Sequence, residues 1–305
     1  MERTKDRTKG VLAMSLAGVS SAVQRRAELL TFPEFPAPGV RRFSFEAGGG
    51  HGWRISALQT VRDKPAPWKY VVVTGAPSWS KYWLPVMSAL PSDREMVVVD
   101  RPGFGCSEPA TCVPDIRLQA QALAPLLQAE PGQRIILVGK SYGAAIATLM
   151  ASSSTRPPVE ALVLLAGYFG EFGPTARHLV GLGGKLSKMI PRDLRHAVME
   201  VTGQSQQLPY MHEALAQLNK PIHVIHGDKD DYAPFEVAER LVAQARTRRP
   251  VAFTRVPGGS HFLNEGPPQL LIDLLETAIP SRRGFGWPKV SLPSFELGQR
   301  TPQTA

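Results

Sequence analysis

One stretch decides the fold of this chain: Ile135-Ile136-Leu137-Val138-Gly139-Lys140-Ser141-Tyr142-Gly143-Ala144-Ala145-Ile146-Ala147. Its apolar, β-branched first half predicts a buried strand, and its Ala-rich second half predicts a helix. Between them lies Gly-x-Ser-x-Gly, whose glycines let strand and helix approach closely. A strand that turns directly into a helix leaves its apex residue strained and exposed. The pattern therefore predicts Ser141 as a nucleophile, although a serine that only caps a helix also fits these five residues.

Buried strands alternate with helices along most of the chain. An alternating hairpin comes first, and continuous β-branched runs then predict parallel strands that are covered on both faces. The strands are predicted at 40–46, 53–61, 69–74, 95–100, 135–139, 159–165, 221–226 and 251–256. This order predicts an α/β fold: a doubly wound, mostly parallel sheet of about eight strands with helices on both faces.

The alternation breaks after the strand at 159–165. Open α/β folds place substrate-covering structure at the carboxyl edge of the sheet, so residues 168–218 are predicted to form a small helical cap. Within it, weak helical patterns at 194–201 and 211–218 are separated from a glycine-rich piece that is not predicted as helix. Residues 39–167 and 219–280 form the predicted core.

The two ends of the chain differ in composition from this core. Residues 1–38 form a predicted leader or surface helix; they only faintly imitate an export signal, because Glu2 and Asp6 interrupt the basic start. Residues 281–305 are rich in Pro, Gly and Ser and are predicted to be a disordered tail.

Composition excludes several classes of function. The 305 residues carry a net charge of +9, but Lys and Arg are not interleaved with aromatics, so a nucleic-acid partner is not expected. No apolar run reaches the roughly 18 residues that an integral membrane segment requires. The two cysteines, Cys106 and Cys112, lack metal-ligand spacing, and free thiols favour a cytoplasmic location. The oligomeric state is left open.

A nucleophilic serine needs a base, and the base needs an acid that orients it. The strand at 221–226 is followed by Gly227-Asp228-Lys229-Asp230-Asp231, and the last strand by Gly258-Gly259-Ser260-His261. Because parallel strands end at one edge of a sheet, we expect these groups to meet Ser141. The histidines other than His261 are predicted to have structural roles or to lie at the surface.

These motifs resemble the α/β-hydrolase fold superfamily, and within it the single-domain serine esterases and lipases with a short cap. The resemblance extends over roughly 40–279. It rests on Gly-Lys-Ser-Tyr-Gly at 139–143, Asp-Arg-Pro-Gly-Phe-Gly-Cys-Ser at 100–107, His-Gly-Asp-Lys-Asp at 226–230 and Gly-Ser-His-Phe-Leu-Asn-Glu-Gly-Pro at 259–267. The family pattern places the acid last in Gly-x-x-Asp, which selects Asp230; Asp228 and Asp231 are then predicted to cap the loop.

The resemblance also implies an oxyanion hole formed by the backbone N–H groups of Ala76 and Tyr142. Relatives usually carry His-Gly where this chain has Thr74-Gly75, so the conformation of that loop is an open point. A substrate pocket is predicted to include aromatic side chains near these loops, for which ordinary packing is an equal alternative. They are Trp79, Trp83, Phe104, Tyr168, Phe169 and Phe172.

The expected function is that of a serine hydrolase that cleaves a small-molecule ester or related acyl compound without a metal or cofactor. The bend between strand and helix at 139–143 is called the nucleophile elbow below. A serine at this elbow disfavours the dehalogenase and epoxide-hydrolase chemistry of related folds. Carbon–carbon bond hydrolysis, thioesterase, peptidase and acyltransferase activity remain open, as does a non-catalytic ligand-binding role, because a fold does not fix a reaction.

Overall fold

The computed structural model describes a continuous central part of the chain with short interruptions. The described residues are 37–77, 79–153, 159–186, 189–246 and 251–279. The predicted leader at 1–38 lies outside them except for its last two residues, and the predicted tail at 281–305 lies wholly outside them.

Eight strands form one sheet. They are β1 (Val40–Glu46), β2 (Arg54–Thr60), β3 (Trp68–Val73), β4 (Arg94–Val99), β5 (Arg134–Lys140), β6 (Val159–Leu165), β7 (Ile222–Gly227) and β8 (Val251–Val256). Their spatial order is β1-β2-β4-β3-β5-β6-β7-β8. β2 runs antiparallel to both of its neighbours, β1 and β4. The strands β3 to β8 all run parallel to one another. The predicted mostly parallel α/β sheet is confirmed.

The α-helices of the described residues lie between these strands, except for the last helix, which follows β8. They are α1 (Leu84–Ala89), α2 (Ile116–Leu123), α3 (Gly143–Ser153), α4 (Pro174–Lys185), α5 (Arg192–Gln204), α6 (Leu208–Gln217), α7 (Phe235–Arg246) and α8 (Pro268–Glu276). The helix α2 is α-helical only as far as Leu123, and the chain continues as a 3-10 turn around Pro125. Proline cannot donate the next helical hydrogen bond, which explains this change.

Two hydrophobic cores lie on opposite faces of the sheet. Val71 and Val73 of β3 face one core, and Tyr70 and Val72 face the other, as expected from the alternation of side chains along a strand. Helices α2, α3, α6 and α7 contribute buried residues to the first core, whereas α1 and α8 contribute to the second. The sheet is therefore covered on both faces.

The insertion between β6 and β7 contains α4, α5 and α6. The glycine-rich piece is helical after all, as part of α4, which begins with Pro174 at its first position and contains no buried residue. Proline suits the first helical turn, where its missing N–H costs nothing. Met211 and Leu215 of α6 pack in the core of the sheet. The division of the chain into core and cap stays a prediction.

Within the described residues, none of the helices has the length and apolarity that crossing a membrane requires. The same part of the chain contains no cluster of three or more His, Cys, Asp and Glu residues that could hold a metal ion.

Candidate active site

Ser141 lies in the tight bend between β5 and α3. Its φ is +51°, a left-handed value that residues other than glycine rarely adopt. The bend is held in place because the Ser141 N–H donates to the Leu165 carbonyl at 3.1 Å. A Cβ on Gly143 would overlap the Val73 carbonyl oxygen, and one on Gly139 would overlap the backbone of α3. Only glycine at these two positions allows α3 to pack this closely on β3 and β5.

Two neighbouring loops approach the serine from the ends of β7 and β8. The loops touch each other, since a Cβ on Gly227 would overlap the Gly259 carbonyl oxygen. Asp228 braces the pair: its carboxylate accepts hydrogen bonds from the Gly258 N–H at 2.7 Å and from the Arg255 guanidinium at 2.8 and 3.0 Å. Asp228 therefore stabilises the loops and does not face the serine.

The loops bring three predicted site residues into one hydrogen-bonded chain. His261 Nε2 lies 2.9 Å from Ser141 Oγ, and His261 Nδ1 lies 2.8 Å from Asp230 Oδ2. His261 and Asp230 are only 6% and 7% exposed, whereas Ser141 is half-buried. Asp231 points elsewhere and accepts a hydrogen bond from the Thr175 hydroxyl of α4 at 2.6 Å.

Asp230 is an ionised carboxylate in this arrangement. Burial opposes its ionisation, but hydrogen bonds from His226 and His261 outweigh burial and hold the pKa of Asp230 well below its usual range. The N–H groups of Tyr232 and Ala233 also donate to Oδ1, at 3.0 and 2.8 Å. Because an ionised carboxylate only accepts, His261 donates from Nδ1, and Nε2 is free to accept the Ser141 proton.

His226 was not assigned to the site from the sequence. It is fully buried, and its Nε2 lies 3.2 Å from Asp230 Oδ2 and 2.8 Å from the Ala233 carbonyl. The imidazole thus contacts the same carboxylate oxygen that His261 binds. Its position at the end of a strand, four residues before Asp230, is the signal that could have identified it.

Lys140 is a buried cation beside the histidine. It is 4% exposed, and its Nζ lies 5.5 Å from the centre of the Phe262 ring. Burial lowers the pKa of Lys140 to about 8, an effect that Asp230 and Glu265 partly offset. Burial, and after it the charge of Lys140, lowers the pKa of His261 to about 4. His261 is therefore neutral at neutral pH, which is the state that a general base requires.

The ring of His261 is also restrained by aromatic neighbours. Tyr232 stacks on it with ring centres 5.2 Å apart and an angle of 21°, and Phe262 meets it edge-on at 5.5 Å. Tyr232 lies two residues after Asp230, so the loop that supplies the acid also holds the imidazole in plane. No local sequence pattern indicates this contact.

The loop that carries one predicted oxyanion donor, Ala76, contacts the serine, and the other predicted donor, Tyr142, directly follows it. Gly75 is in contact with it, because a Cβ on Gly75 would lie 3.0 Å from Ser141 Cβ and 3.6 Å from Ser141 Oγ. The peptide between Gly75 and Ala76 therefore borders the nucleophile. Within the described residues, the N–H groups of Ala76 and Tyr142 have no hydrogen-bond partner and are available to a bound group.

The predicted pocket aromatics are mostly packed against protein. Trp79 donates from Nε1 to Asp193 of α5 at 2.6 Å, and Phe104 is fully buried. Tyr168 lies next to the elbow, where its N–H donates to the Ser141 carbonyl at 3.3 Å, and Phe169 is 7% exposed. The last two of these aromatics lie in different parts of the structure. Trp83 is buried in the second hydrophobic core, together with Tyr70 and Val72. Phe172 stacks on Tyr168 with ring centres 4.7 Å apart.

Known proteins resemble this chain over its central part. A family model described as alpha/beta hydrolase fold matches residues 71–207. The chain is 24% identical over 208 residues to the 2-hydroxy-6-oxononadienedioate/2-hydroxy-6-oxononatrienedioate hydrolase 2 of Pseudomonas putida, which covers 55% of this chain and 72% of the relative. It is 26% identical over 207 residues to the corresponding hydrolase of Paraburkholderia phymatum, covering 55% and 71%.

Solved structures share the fold at lower sequence identity. The esterase RhEst1 from Rhodococcus sp. superimposes with a TM-score of 0.54 and 21% identity, covering 77% of this chain and 97% of the esterase. The two relatives are named hydrolases, and the sheet order and the strand–serine–helix bend agree with the matched family model. This chain has the α/β-hydrolase fold.

Proposed function

We propose that the protein is a serine hydrolase that cleaves an ester or related acyl compound through an acyl-enzyme on Ser141. The observation that supports this most directly is the hydrogen-bonded chain from Ser141 through His261 to Asp230. A half-buried serine hydroxyl that is hydrogen-bonded to a neutral imidazole is the arrangement that general-base activation requires.

In the proposed acylation step, Ser141 Oγ attacks the acyl carbon while His261 Nε2 takes the hydroxyl proton. The proton then passes from Nε2 to the leaving alcohol, and the carbon–oxygen bond of the ester breaks. Asp230 stabilises the transient imidazolium and keeps its Nδ1–H directed at the carboxylate. The negative charge on the former carbonyl oxygen is stabilised by the N–H groups of Ala76 and Tyr142.

Deacylation repeats this sequence with water. His261 removes a proton from the water molecule as it attacks the acyl carbon, and Ser141 leaves with the proton returned by Nε2. The same five residues thus serve both halves of the cycle.

The test is labelling by a fluorophosphonate, which reacts with activated serines. We expect one labelled site that is lost in Ser141→Ala and retained in Ser153→Ala, a control at the exposed end of α3. A panel of acyl-chain esters, amides and thioesters should then give activity that depends on Ser141. Equal labelling of the wild type and Ser141→Ala would contradict the proposal.

Carbon–carbon bond hydrolysis is a second candidate on the same residues. The observation in its favour is that both curated relatives are named hydrolases of 2-hydroxy-6-oxo dienedioates, names that contain no ester or amide. Assays of a 2-hydroxy-6-oxo-dienoate and of p-nitrophenyl esters on one preparation separate the two. Turnover of the dienoate at a kcat/KM roughly 100-fold or more above that of the esters, a gap of about 2.7 kcal/mol in transition-state binding, would favour the second candidate.

The segment at 168–218 is proposed to cap the site. The support is that Asp193 of α5 accepts hydrogen bonds from Trp79 Nε1 at 2.6 Å and from the Gly105 N–H at 3.1 Å, both in loops at the carboxyl edge of the sheet. Substitution of exposed α5 residues should therefore change KM between acyl chains of different length more than it changes stability.

A cytoplasmic location is proposed as well. It is supported by Cys106 and Cys112, which are thiols and not a disulfide. Cell fractionation tests it, and recovery of the protein outside the cytoplasm would contradict it.

A further inference from the structure

Arg101 is a buried cation that the proposed mechanism does not use. It directly follows Asp100 at the end of β4, and both Arg101 and Glu200 of α5 are 0% exposed. Arginine is rarely buried without a partner, because removing its charge from water is costly. What this guanidinium contacts therefore indicates its role.

Its two terminal nitrogens are each shared between neighbours. Nη1 donates to Gln119 Oε1 and Glu200 Oε1, both at 2.8 Å. Nη2 donates to Glu200 Oε2 at 2.8 Å and to the Gly75 carbonyl oxygen at 2.9 Å. The bidentate carboxylate thus fixes the plane of the guanidinium, and one N–H is left directed at the Gly75 carbonyl.

Two aromatic rings also pack against the Arg101 guanidinium. The guanidinium carbon lies 4.5 Å from the centre of the Phe104 ring and 4.9 Å from that of Tyr142, the residue after the nucleophile. Arg101 is therefore in contact with the loop after β3, with the elbow and with α5 at once.

The contact with Gly75 bears directly on the oxyanion hole. The Gly75 carbonyl and the Ala76 N–H belong to one peptide unit, and in a trans peptide these two groups point in opposite directions. An arginine that fixes the oxygen also fixes the direction of the N–H, beside Ser141. A cationic donor on the carbonyl further polarises the peptide and makes the N–H a stronger donor.

We propose that Arg101 is a positioning residue for the oxyanion hole, holding and polarising the peptide between Gly75 and Ala76, with Glu200 holding Arg101 in turn. This inference rests on the proposed acyl-transfer function. According to this proposal, Arg101 and helix α5, through Glu200, help to stabilise the transition state in addition to any contribution that they make to the stability of the fold.

The experiment compares Arg101→Lys and Arg101→Met/Glu200→Met with Arg94→Lys. Lysine keeps the charge but loses the fixed fork, and the double variant removes both charges, which avoids leaving Glu200 buried alone. Arg94 is the matched control: it begins the same strand, forms a bidentate pair with Glu276 at 2.8 Å and lies at the opposite edge of the sheet.

For both Arg101 variants we expect kcat to fall about 10- to 100-fold, while KM stays within about threefold of the wild-type value. This loss of kcat is smaller than the roughly 100- to 1000-fold loss that follows deletion of an oxyanion donor. The affinity for a trifluoromethyl ketone, which forms an oxyanion on Ser141, should fall by the same factor. Arg94→Lys should leave kcat and this affinity unchanged, whatever it does to the melting temperature.

A folded Arg101 variant with wild-type kcat, or with only KM raised, overturns the inference. If neither variant folds, the carbonyl carbon of ¹³C-labelled Gly75 in the wild type decides: we expect the downfield shift of a carbonyl bonded to a cation, and a shift typical of a neutral hydrogen bond overturns the inference. Activity that persists in Ser141→Ala would instead contradict the proposed function itself.

Discussion

Asp230 differs from the two aspartates beside it in what its carboxylate touches. Only Asp230 reaches His261, whereas Asp231 binds Thr175 of α4. We predict that Asp230→Asn lowers kcat by about 10⁴-fold, because an asparagine amide would donate to Nδ1 and impose the wrong tautomer on the histidine. Asp231→Asn, the control, should stay within a few-fold of wild type. Comparable losses in the two variants would contradict the assignment of the acid.

Lys140 offers a pH measurement at the same scale. The pKa of His261 is lowered to about 4, by burial first and by Lys140 second, so kcat/KM should fall only as the pH drops toward 4 and the imidazole becomes protonated. Lys140→Met removes a neighbouring positive charge and should raise this apparent pKa, on the order of one unit. Of the other titratable neighbours, Asp230 favours the imidazolium and His226 disfavours it, and both stay in place in the variant.

The control for this measurement is Lys69→Met. Lys69 is likewise a lysine whose pKa burial lowers, but it lies at the start of β3, at the edge of the sheet away from the serine. Its loss should leave the acid limb of the pH profile unchanged. An acid limb that stays in place in Lys140→Met would show that the charge of Lys140 does not set the pKa of His261.

At the scale of elements, α4 is a helix that carries three glycines. A Cβ on Gly181 or Gly184 would meet nothing within 4 Å, whereas one on Gly183 would lie 2.5 Å from Val198 Cγ2 of α5. Gly181→Ala and Gly184→Ala should each raise the free energy of unfolding by about 0.5–1 kcal/mol, since alanine restricts the unfolded chain and favours helix. Gly183→Ala should stabilise less or destabilise. Urea denaturation measures all three, and equal effects would contradict the close packing of α4 on α5.

The scale of the whole molecule shows which parts of the structure a sequence can predict. Each strand is a local run of β-branched residues, and parallel strands end at one edge, so the approach of residues after β5, β7 and β8 followed from the order of elements. The helix α4 was missed because glycine propensity is only a weak guide once a helix rests on α5.

Contacts between distant side chains could not be predicted in the same way. Arg101 meets Glu200 across 99 positions of sequence, and His261 stacks on Tyr232 of another loop. Such pairs depend on how the elements pack and leave no local pattern. For the same reason, the effect of Thr74-Gly75 in place of His-Gly could not be predicted from the sequence. In the structure, Gly75 contacts Ser141, and the Thr74 hydroxyl donates a hydrogen bond to the Val99 carbonyl at 3.2 Å.

The pH dependence of stability is a property of the whole molecule. His223 is a buried residue that joins β7 to β8 and α8 through Thr254 at 2.8 Å and Thr277 at 3.2 Å, and burial lowers its pKa to about 4. Between about pH 6.5 and pH 4 the unfolded chain therefore binds a proton that the folded chain does not, and stability falls as the pH falls. His223→Gln should reduce this slope, by on the order of 1 kcal/mol per pH unit at most. Urea denaturation at about pH 7, 5.5 and 4.5 checks it, and an unchanged slope would contradict it.

The partners of Ser141 come late in the chain, which has a consequence for biosynthesis. The serine and the histidine that face each other at 2.9 Å are 120 positions apart, and the histidine follows the last strand of the sheet. A nascent chain that has already emerged from the ribosome as far as α3 carries the serine without its base. Its hydroxyl is then no more reactive than that of any other serine. On the proposed mechanism, Ser141 is therefore activated only after β8 has docked, and translation products that end before His261 would be inactive.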